Sequence, residues 1–347
     1  VAPNSRIQRI LVRIAVALAA FVLALVGVEW LLGAIDPFGA VAQGVNQRLY
    51  RSEIVAPDPT SLRLFRHKPD THVQMRGHVF RSNSLGLRGP QIILPKPRDQ
   101  RRALFLGDSV VLGWGVSDED TFVAHCEPEL EAATGLSWDT VNAGHLLHDS
   151  TQELGVLEEV GMPCDPDLVV HVFVENDIVS TREVRETRSE KPREMTPEAR
   201  RFLERVGLLA RIRPYFPNIH SNLQFLFIQS RPAGQQGSSE HAQAMGLSLE
   251  EGWERSKTAL RGMRNLCTER GVRFVILDYQ RGNRLSEALE AFCREEGIPY
   301  DSIAFDAEDR MQELAVSPAD AHANELGHRI LTANIMDSLK KLGLLDD

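Results

Sequence analysis

Cysteine is scarce in this chain and never closely spaced. Only Cys126, Cys164, Cys267 and Cys293 occur, none in a Cys-x-x-Cys arrangement, which argues against a structural zinc site and leaves any disulfide pairing open. Basic excess is missing as well. Lys and Arg number 39 against 48 Asp and Glu, a net charge of -9, and no basic stretch interleaves with aromatics, so a nucleic-acid surface is not expected. Charge is absent altogether from Ile14 to Val28. That gap has no amphipathic face, which speaks against a buried soluble helix.

Taken from Ile10 to Ile35, the apolar stretch reaches the roughly 20 residues that a membrane-spanning helix needs. Arg6, Arg9 and Arg13 precede or enter it, a single carboxylate, Glu29, lies near its end, and Asp36 and Pro37 close it. Positive charge on the amino side places residues 1–36 as a cytoplasmic tail and anchor, with everything after Asp36 outside. A cleaved signal peptide is the competing reading. Its cleavage box would be Ala17-Leu18-Ala19, which lies inside the apolar run rather than after it, so an uncleaved anchor is preferred. Residues 37–100, punctuated by Pro57, Pro59, Pro69, Pro90, Pro95 and Pro97, read as a linker in which only Val79 to Ser82 alternates like a strand.

The remaining 101–347 alternates strand and helix. With 43% hydrophobic residues the chain has ample material for a large core. Short apolar runs at Ala103–Leu106, Asp139–Gly144, Asp167–Val174 and Val272–Leu277, with a weak fifth near Ser302–Phe305, predict strands. Helices are expected over about 121–134 (capped by Asp118 or Asp120), 150–160, 249–270, 285–296 and 323–342. This order implies a parallel sheet covered on both faces. The long excursion 179–248 reads as a lid: Thr181 to Arg205 as a solvated helix pair, Leu223 to Ile228 as a segment that packs down, and Pro232 to His241 as a loop.

Ser109, Gly144 and Asn176 each follow a predicted strand at its carboxyl end, the edge where α/β sheets bind ligands. Asp320 and His322 fall between the last strand and the last helix, at the same edge. A serine nucleophile needs an imidazole to take its proton and a carboxylate to hold the imidazole, which His322 and Asp320 supply. The N–H groups of Ser109 and Gly144 with the Asn176 amide would then face the developing oxyanion. Each residue also has a plainer reading: Gly144 as a turn, Asn176 as an Asx turn, Asp320 as a helix cap, and His322 and His328 as solvated helix residues. A metal hydrolase built on His145, His148 and Asp149 is a further alternative.

The motifs Phe105-Leu106-Gly107-Asp108-Ser109, Val141-Asn142-Ala143-Gly144, Val174-Glu175-Asn176-Asp177 and Asp320-Ala321-His322-Ala323-Asn324 resemble, in order, the four blocks of the SGNH, or GDSL-type, hydrolases. Asn83 to Pro90 is similar to a motif of their membrane-anchored bacterial members. The resemblance implies an α/β, flavodoxin-like three-layer fold with a five-stranded parallel sheet of order 2-1-3-4-5, and ester hydrolysis without metal or cofactor. It implies catalysis by Ser109, His322 and Asp320 with an oxyanion hole from Ser109, Gly144 and Asn176. The partner is an ester-bearing substrate, such as an acylated glycan or lipid, met on the periplasmic side of a bacterial inner membrane. Water or a sugar hydroxyl could accept the acyl group, and a silent glycan-binding protein on the same fold is the alternative. The chain departs from the family in three places: Val174 where many members have Gly, Ala323 where Pro is usual, and Asp320 two rather than three residues before His322. In the second block, His145-Leu146-Leu147-His148 replaces the familiar Val-Pro-Gly.

Overall fold

The computed structural model describes residues 5–179, 211–229, 248–280, 283–304 and 311–346. The helix pair expected over Thr181–Arg205, the loop over Pro232–His241, and Phe305 lie outside these residues.

Five parallel strands form the sheet: β1 (Gln100–Gly107), β2 (Ser137–Gly144), β3 (Leu168–Phe173), β4 (Arg273–Asp278) and β5 (Tyr300–Ser302). Their order across the sheet is β2-β1-β3-β4-β5, the expected 2-1-3-4-5. In register, Leu104 pairs with both Val141 and Val169, and Val170 with Val275. Period-two alternation sends Ala103 and Phe105 to one face and Leu104 and Leu106 to the other. β3 is buried at every residue, as a central parallel strand should be.

Each face is covered by helices. Leu104, Leu106, Val169 and Ile276 pack on α5 (Ser150–Val156), α7 (Leu249–Arg270) and α8 (Arg284–Glu296) through Val156, Leu260, Met263, Leu289 and Phe292. Across the sheet, Phe105, Val170, Val172 and Leu277 meet α4 (Phe122–Thr134) and α9 (Glu325–Lys341) through Phe122, Leu130, Leu331 and Ile335. Each fully buried side chain of this kind contributes about 1.5–3 kcal/mol. The four cysteines are free and buried within these two layers, so no disulfide staples the fold.

Three sequence expectations need correction. The cap of α4 is Thr121, whose hydroxyl accepts the Ala124 N–H at 3.2 Å, because Asp118 is occupied by two arginines. The last strand runs Tyr300–Ser302 rather than Ser302–Phe305. Pairing with β4 begins immediately after Pro299, whose carbonyl accepts the Ile276 N–H, and the Tyr300 hydroxyl then donates to Asp278. Residues 37–100 hold more structure than one strand: α2 (Ala40–Leu49) and two antiparallel hairpins, Val55–Asp58 with Leu64–His67 and His72–Gln74 with Val79–Arg81. Pro59 and Pro69 fall in turns, and Pro57 lies in a two-stranded ribbon, both of whose strands are edges.

This segment is bound into the core. Tyr50, Ile54, Met75 and Phe80 pack with Leu112 and Trp114. Asn83 holds its own turn by accepting the Leu85 and Leu87 N–H groups. Gly86 lies at φ 74°, with the His67 carbonyl oxygen 2.7 Å from where a Cβ would stand, so only glycine fits. Arg88 is 3% exposed. Its guanidinium donates to Asp118 at 2.7 Å and to the carbonyls of Leu112, Gly113 and Val116.

At the amino end, α1 (Ser5–Ile35) carries a stretch, Gln8–Ile35, long and apolar enough to cross a membrane, whose most apolar 18 residues have a mean hydropathy of 2.7. Beside its end lies α6 (Pro217–Gln229). The expectation that Leu223 to Ile228 packs down on the domain is met differently: Phe225 stacks on Phe38 at 4.9 Å, while Leu223 and Leu226 stay exposed.

Candidate active site

The chain leaves β1 at Gly107 and enters the short helix α3 (Ser109–Leu112) at once. Asp108 caps it, Oδ1 accepting the Val110 N–H at 2.9 Å. Ser109 therefore stands at the first helical position, where a backbone N–H has no acceptor within the helix. Asp108 Oδ2 also accepts from the Ser109 hydroxyl at 3.1 Å and from Asn176 Nδ2 at 2.9 Å, so the ends of β1 and β3 are tied at the nucleophile.

His322 reaches the same serine from more than two hundred residues away. Its Nε2 lies 2.9 Å from Ser109 Oγ and its Nδ1 lies 2.5 Å from Asp320 Oδ1. An ionised carboxylate only accepts, so Nδ1 carries the proton toward Asp320 and Nε2 faces the serine as acceptor. Asp320 Oδ2 accepts the Trp114 indole N–H at 2.9 Å.

The two-residue spacing of Asp320 and His322 has a structural cause. They lie on a strand, Asp320–Ala323, paired antiparallel with Ala315–Ser317, rather than in the expected loop between strand and helix. Residues i and i+2 of a strand share a face, so two is the spacing that lets both side chains meet. Asp320 does not cap α9; Asn324 does, accepting the Gly327 N–H. Nor is His328 solvated. It is buried, accepts the Phe122 N–H through Nδ1 at 3.1 Å, and burial pushes its pKa down to about 3.

The pair shifts both partners. Burial works to raise the Asp320 carboxyl, but the hydrogen bond and charge of His322, with the Trp114 N–H, hold it below the usual range. Burial works to lower His322, and the Asp320 hydrogen bond and charge, with the charge of Asp108, raise it above 6.5.

The Gly144 N–H donates to Asn142 Oδ1 at 3.0 Å, and Asn142 Nδ2 donates to the Val111 carbonyl at 2.8 Å. A Cβ on Gly144 would lie 2.1 Å from Leu112 N. Gly144 is thus the close approach of β2 to α3, and its N–H already has the Asn142 side chain as acceptor. Three residues on, Leu147 adopts φ 67° and is exposed, at the place where Val-Pro-Gly would bring its glycine. Val174 needs no such freedom, since at φ -131° and ψ 160° any residue fits.

The His145, His148 and Asp149 alternative is not a chelating arrangement. The rings of His145 and His148 stack face to face at 4.5 Å with an interplanar angle of 2°, and His67 stacks on His145 at 4.0 Å. Parallel stacked imidazoles direct their in-plane nitrogens side by side rather than toward a common ion. Asp149 caps α5.

Sequence reasoning missed a buried cluster, Glu153, His171 and Asp177, whose side-chain donor atoms lie within 4.8 Å of one another. His171 Nε2 and Glu153 Oε2 are hydrogen-bonded at 2.8 Å. Burial raises both carboxyls well above the usual range and lowers His171 to about 3. A cavity of about 600 Å³ is bordered by Asp320, with Gln43 and Asn46 of α2 and Arg329; Ser109 and His322 do not line it.

No protein-family model and no curated protein matches this sequence. Solved structures similar to the chain include that of TesA, 17% identical over 70% of this chain and 99% of that one, with a TM-score of 0.41. The psychrotrophic esterase EstA from Pseudoalteromonas sp. is 13% identical over 70% and 97%, with a TM-score of 0.42. A two-domain esterase (CEX) active on acetylated mannans is 14% identical over 70% of this chain and 50% of that one, with a TM-score of 0.42.

Proposed function

We propose that this chain is a membrane-anchored serine esterase of the SGNH type. The observation that carries the reading is the unbroken hydrogen-bonded series from Asp320 through His322 to Ser109 at 2.5 and 2.9 Å. His322 Nε2 takes the Ser109 proton as Oγ attacks the ester carbonyl carbon. The tetrahedral oxyanion is met by the Ser109 N–H and by an Asn176 amide hydrogen. The imidazolium returns its proton to the departing alcohol oxygen, which leaves an acyl-serine. Water, deprotonated by the same imidazole, then attacks the acyl carbon, and the imidazolium returns that proton to the departing Ser109 Oγ as the acid is released. Trp114 and Asp108 touch no substrate in this scheme and act as positioning residues for Asp320 and Ser109.

α1 serves as an uncleaved anchor in this reading, with Arg6, Arg9 and Arg13 on the cytoplasmic side and the domain outside. Short acyl groups on envelope glycans or lipids are the substrates such a placement offers. The test is turnover of p-nitrophenyl acetate and butyrate by the full chain, together with labelling by a fluorophosphonate. Ser109→Ala should abolish labelling and lower kcat by about 10³-fold or more. Equal rates for the two proteins would reject Ser109 as nucleophile.

A further inference from the structure

The position of α6 is set by a contact that its own sequence does not announce. The Glu29 carboxylate of α1 accepts two backbone N–H groups from the first turn of α6, Asn218 at 2.7 Å and Ile219 at 2.8 Å. Asn218 Nδ2 in turn donates to the Glu29 carbonyl at 3.0 Å. A carboxylate at a helix amino terminus meets both unpaired donors and the positive end of the helix dipole. One turn further along α1, a Cβ on Gly33 would lie 2.4 Å from Asn218 Nδ2, so the Asn218 side chain packs directly on the α1 backbone there. Phe38 on Phe225 completes the clamp. These contacts fix the start of α6 at the level of Glu29 and bring Phe225 beside Phe38, just past the end of α1.

That height can be placed against a bilayer. The charge-free run of α1, Ile14 to Val28, spans about 22 Å at 1.5 Å per residue, and with the apolar stem of Arg13 reaching back to the cytoplasmic surface it approaches the roughly 30 Å of a hydrocarbon core. Glu29 therefore stands where the core ends, and Trp30, 74% exposed, falls in the zone that tryptophan favours at the membrane–water boundary. α6 begins at this level. It carries no Asp, Glu, Lys or Arg, and its exposed Leu223 and Leu226 continue a stripe from Ile219 at i, i+4 and i+7. His220 and Asn222 turn inward. Just before it come exposed Arg211 and Arg213 and Tyr215, which is 78% exposed, side chains suited to anionic headgroups.

We infer that α6 is a second membrane contact, lying in the outer interface of the bilayer that α1 crosses, with Leu223 and Leu226 at the acyl boundary and Arg211 and Arg213 among the headgroups. The domain is thereby held at a fixed attitude to the lipid surface instead of swinging on a single tether. This inference rests on the reading of α1 as an anchor, and the experiment separates the two. Single nitroxides are placed by Leu223→Cys, Leu226→Cys, Leu23→Cys within the span, and Arg294→Cys on the exposed far side of α8. The four native cysteines are buried and leave the introduced thiol as the one to label. The full chain is reconstituted in nanodiscs of phosphatidylcholine and phosphatidylglycerol, and collisions with oxygen and with a water-soluble nickel chelate are compared. The inference expects positions 223 and 226 to lose nickel collisions and gain oxygen collisions relative to 294, as position 23 does. Values at 223 and 226 matching 294 while 23 remains lipid-like would overturn it and leave the anchor standing. Water-like values at 23 would overturn both, and copy-to-copy crosslinks through the thiol of Leu223→Cys would assign the stripe to a second copy of the chain instead.

Discussion

At the scale of the residue, the single proton of Ser109 has two acceptors within reach, Asp108 Oδ2 at 3.1 Å and His322 Nε2 at 2.9 Å. Only the second leads to chemistry, and it requires a neutral imidazole. Because Asp320 and Asp108 raise His322 above 6.5 against the effect of burial, kcat/KM should rise with pH through a midpoint above 6.5 and level off beyond it. Asp320→Asn removes the stabilising charge, so the midpoint should move down while kcat falls by about 10³- to 10⁴-fold through loss of the correct tautomer. A pH profile measured on both proteins checks this, and coincident midpoints would show that Asp320 does not govern the base. The departures from the family's pattern also resolve here. Two-residue spacing works because Asp320 and His322 share a strand face, and Ala323 is acceptable because it closes that strand rather than opening a helix.

At the scale of the element, the nucleophile's helix is too short to hold itself. α3 has a single turn, and it is fixed by Asp108 at one end and by Arg88 at the other, whose guanidinium gathers the carbonyls of Leu112, Gly113 and Val116. Arg88 belongs to the phrase Asn83 to Pro90, which reads locally as turn and coil, and nothing nearby in sequence marks it as buried. Replacing it would leave Asp118 in the core with one arginine, Arg81, which is itself half exposed. Arg88→Met should therefore cost about 3–5 kcal/mol, the usual effect of removing one partner from a buried pair. Urea unfolding measures it, and a loss below 1 kcal/mol would mean that Arg81 and water satisfy Asp118 unaided. The central sheet strands, by contrast, were readable because β1 and β4 contain uninterrupted apolar runs, Ala103–Leu106 and Phe274–Leu277, and β3 one broken only by His171, each followed by small or polar residues. Of the short hairpins of residues 55–81 only the strand at Val79–Arg81 was, since the pairing of the others depends on a partner supplied by the fold.

At the scale of the whole molecule, several imidazoles are held neutral by burial. His78 and His145 are lowered to about 4, His171 and His328 to about 3, and His67 well below its ordinary value. Each binds a proton near pH 6.5 when unfolded but not when folded, so its contribution is complete above 6.5 and is lost as pH falls toward the folded value. The raised carboxyls of Glu153 and Asp177 act in the opposite sense, but they are outnumbered. Stability should accordingly drop between pH 6.5 and about 4, seen as a falling urea midpoint; a flat profile would show that these histidines accept protons in the folded state. The strand order was implied only by the resemblance that the four motifs carry; by itself the sequence determined the parallel sheet, the apolar amino-terminal helix, and the four motifs whose residues meet at one sheet edge. These depend on local hydrophobic pattern and on where small polar residues follow a strand. Only the tertiary structure decided that Gly144 serves close packing, that Arg88 secures the nucleophile's helix, and that Glu29 holds α6 beside α1, because each is a contact between segments distant along the chain, and no periodicity along one segment records what another brings to it.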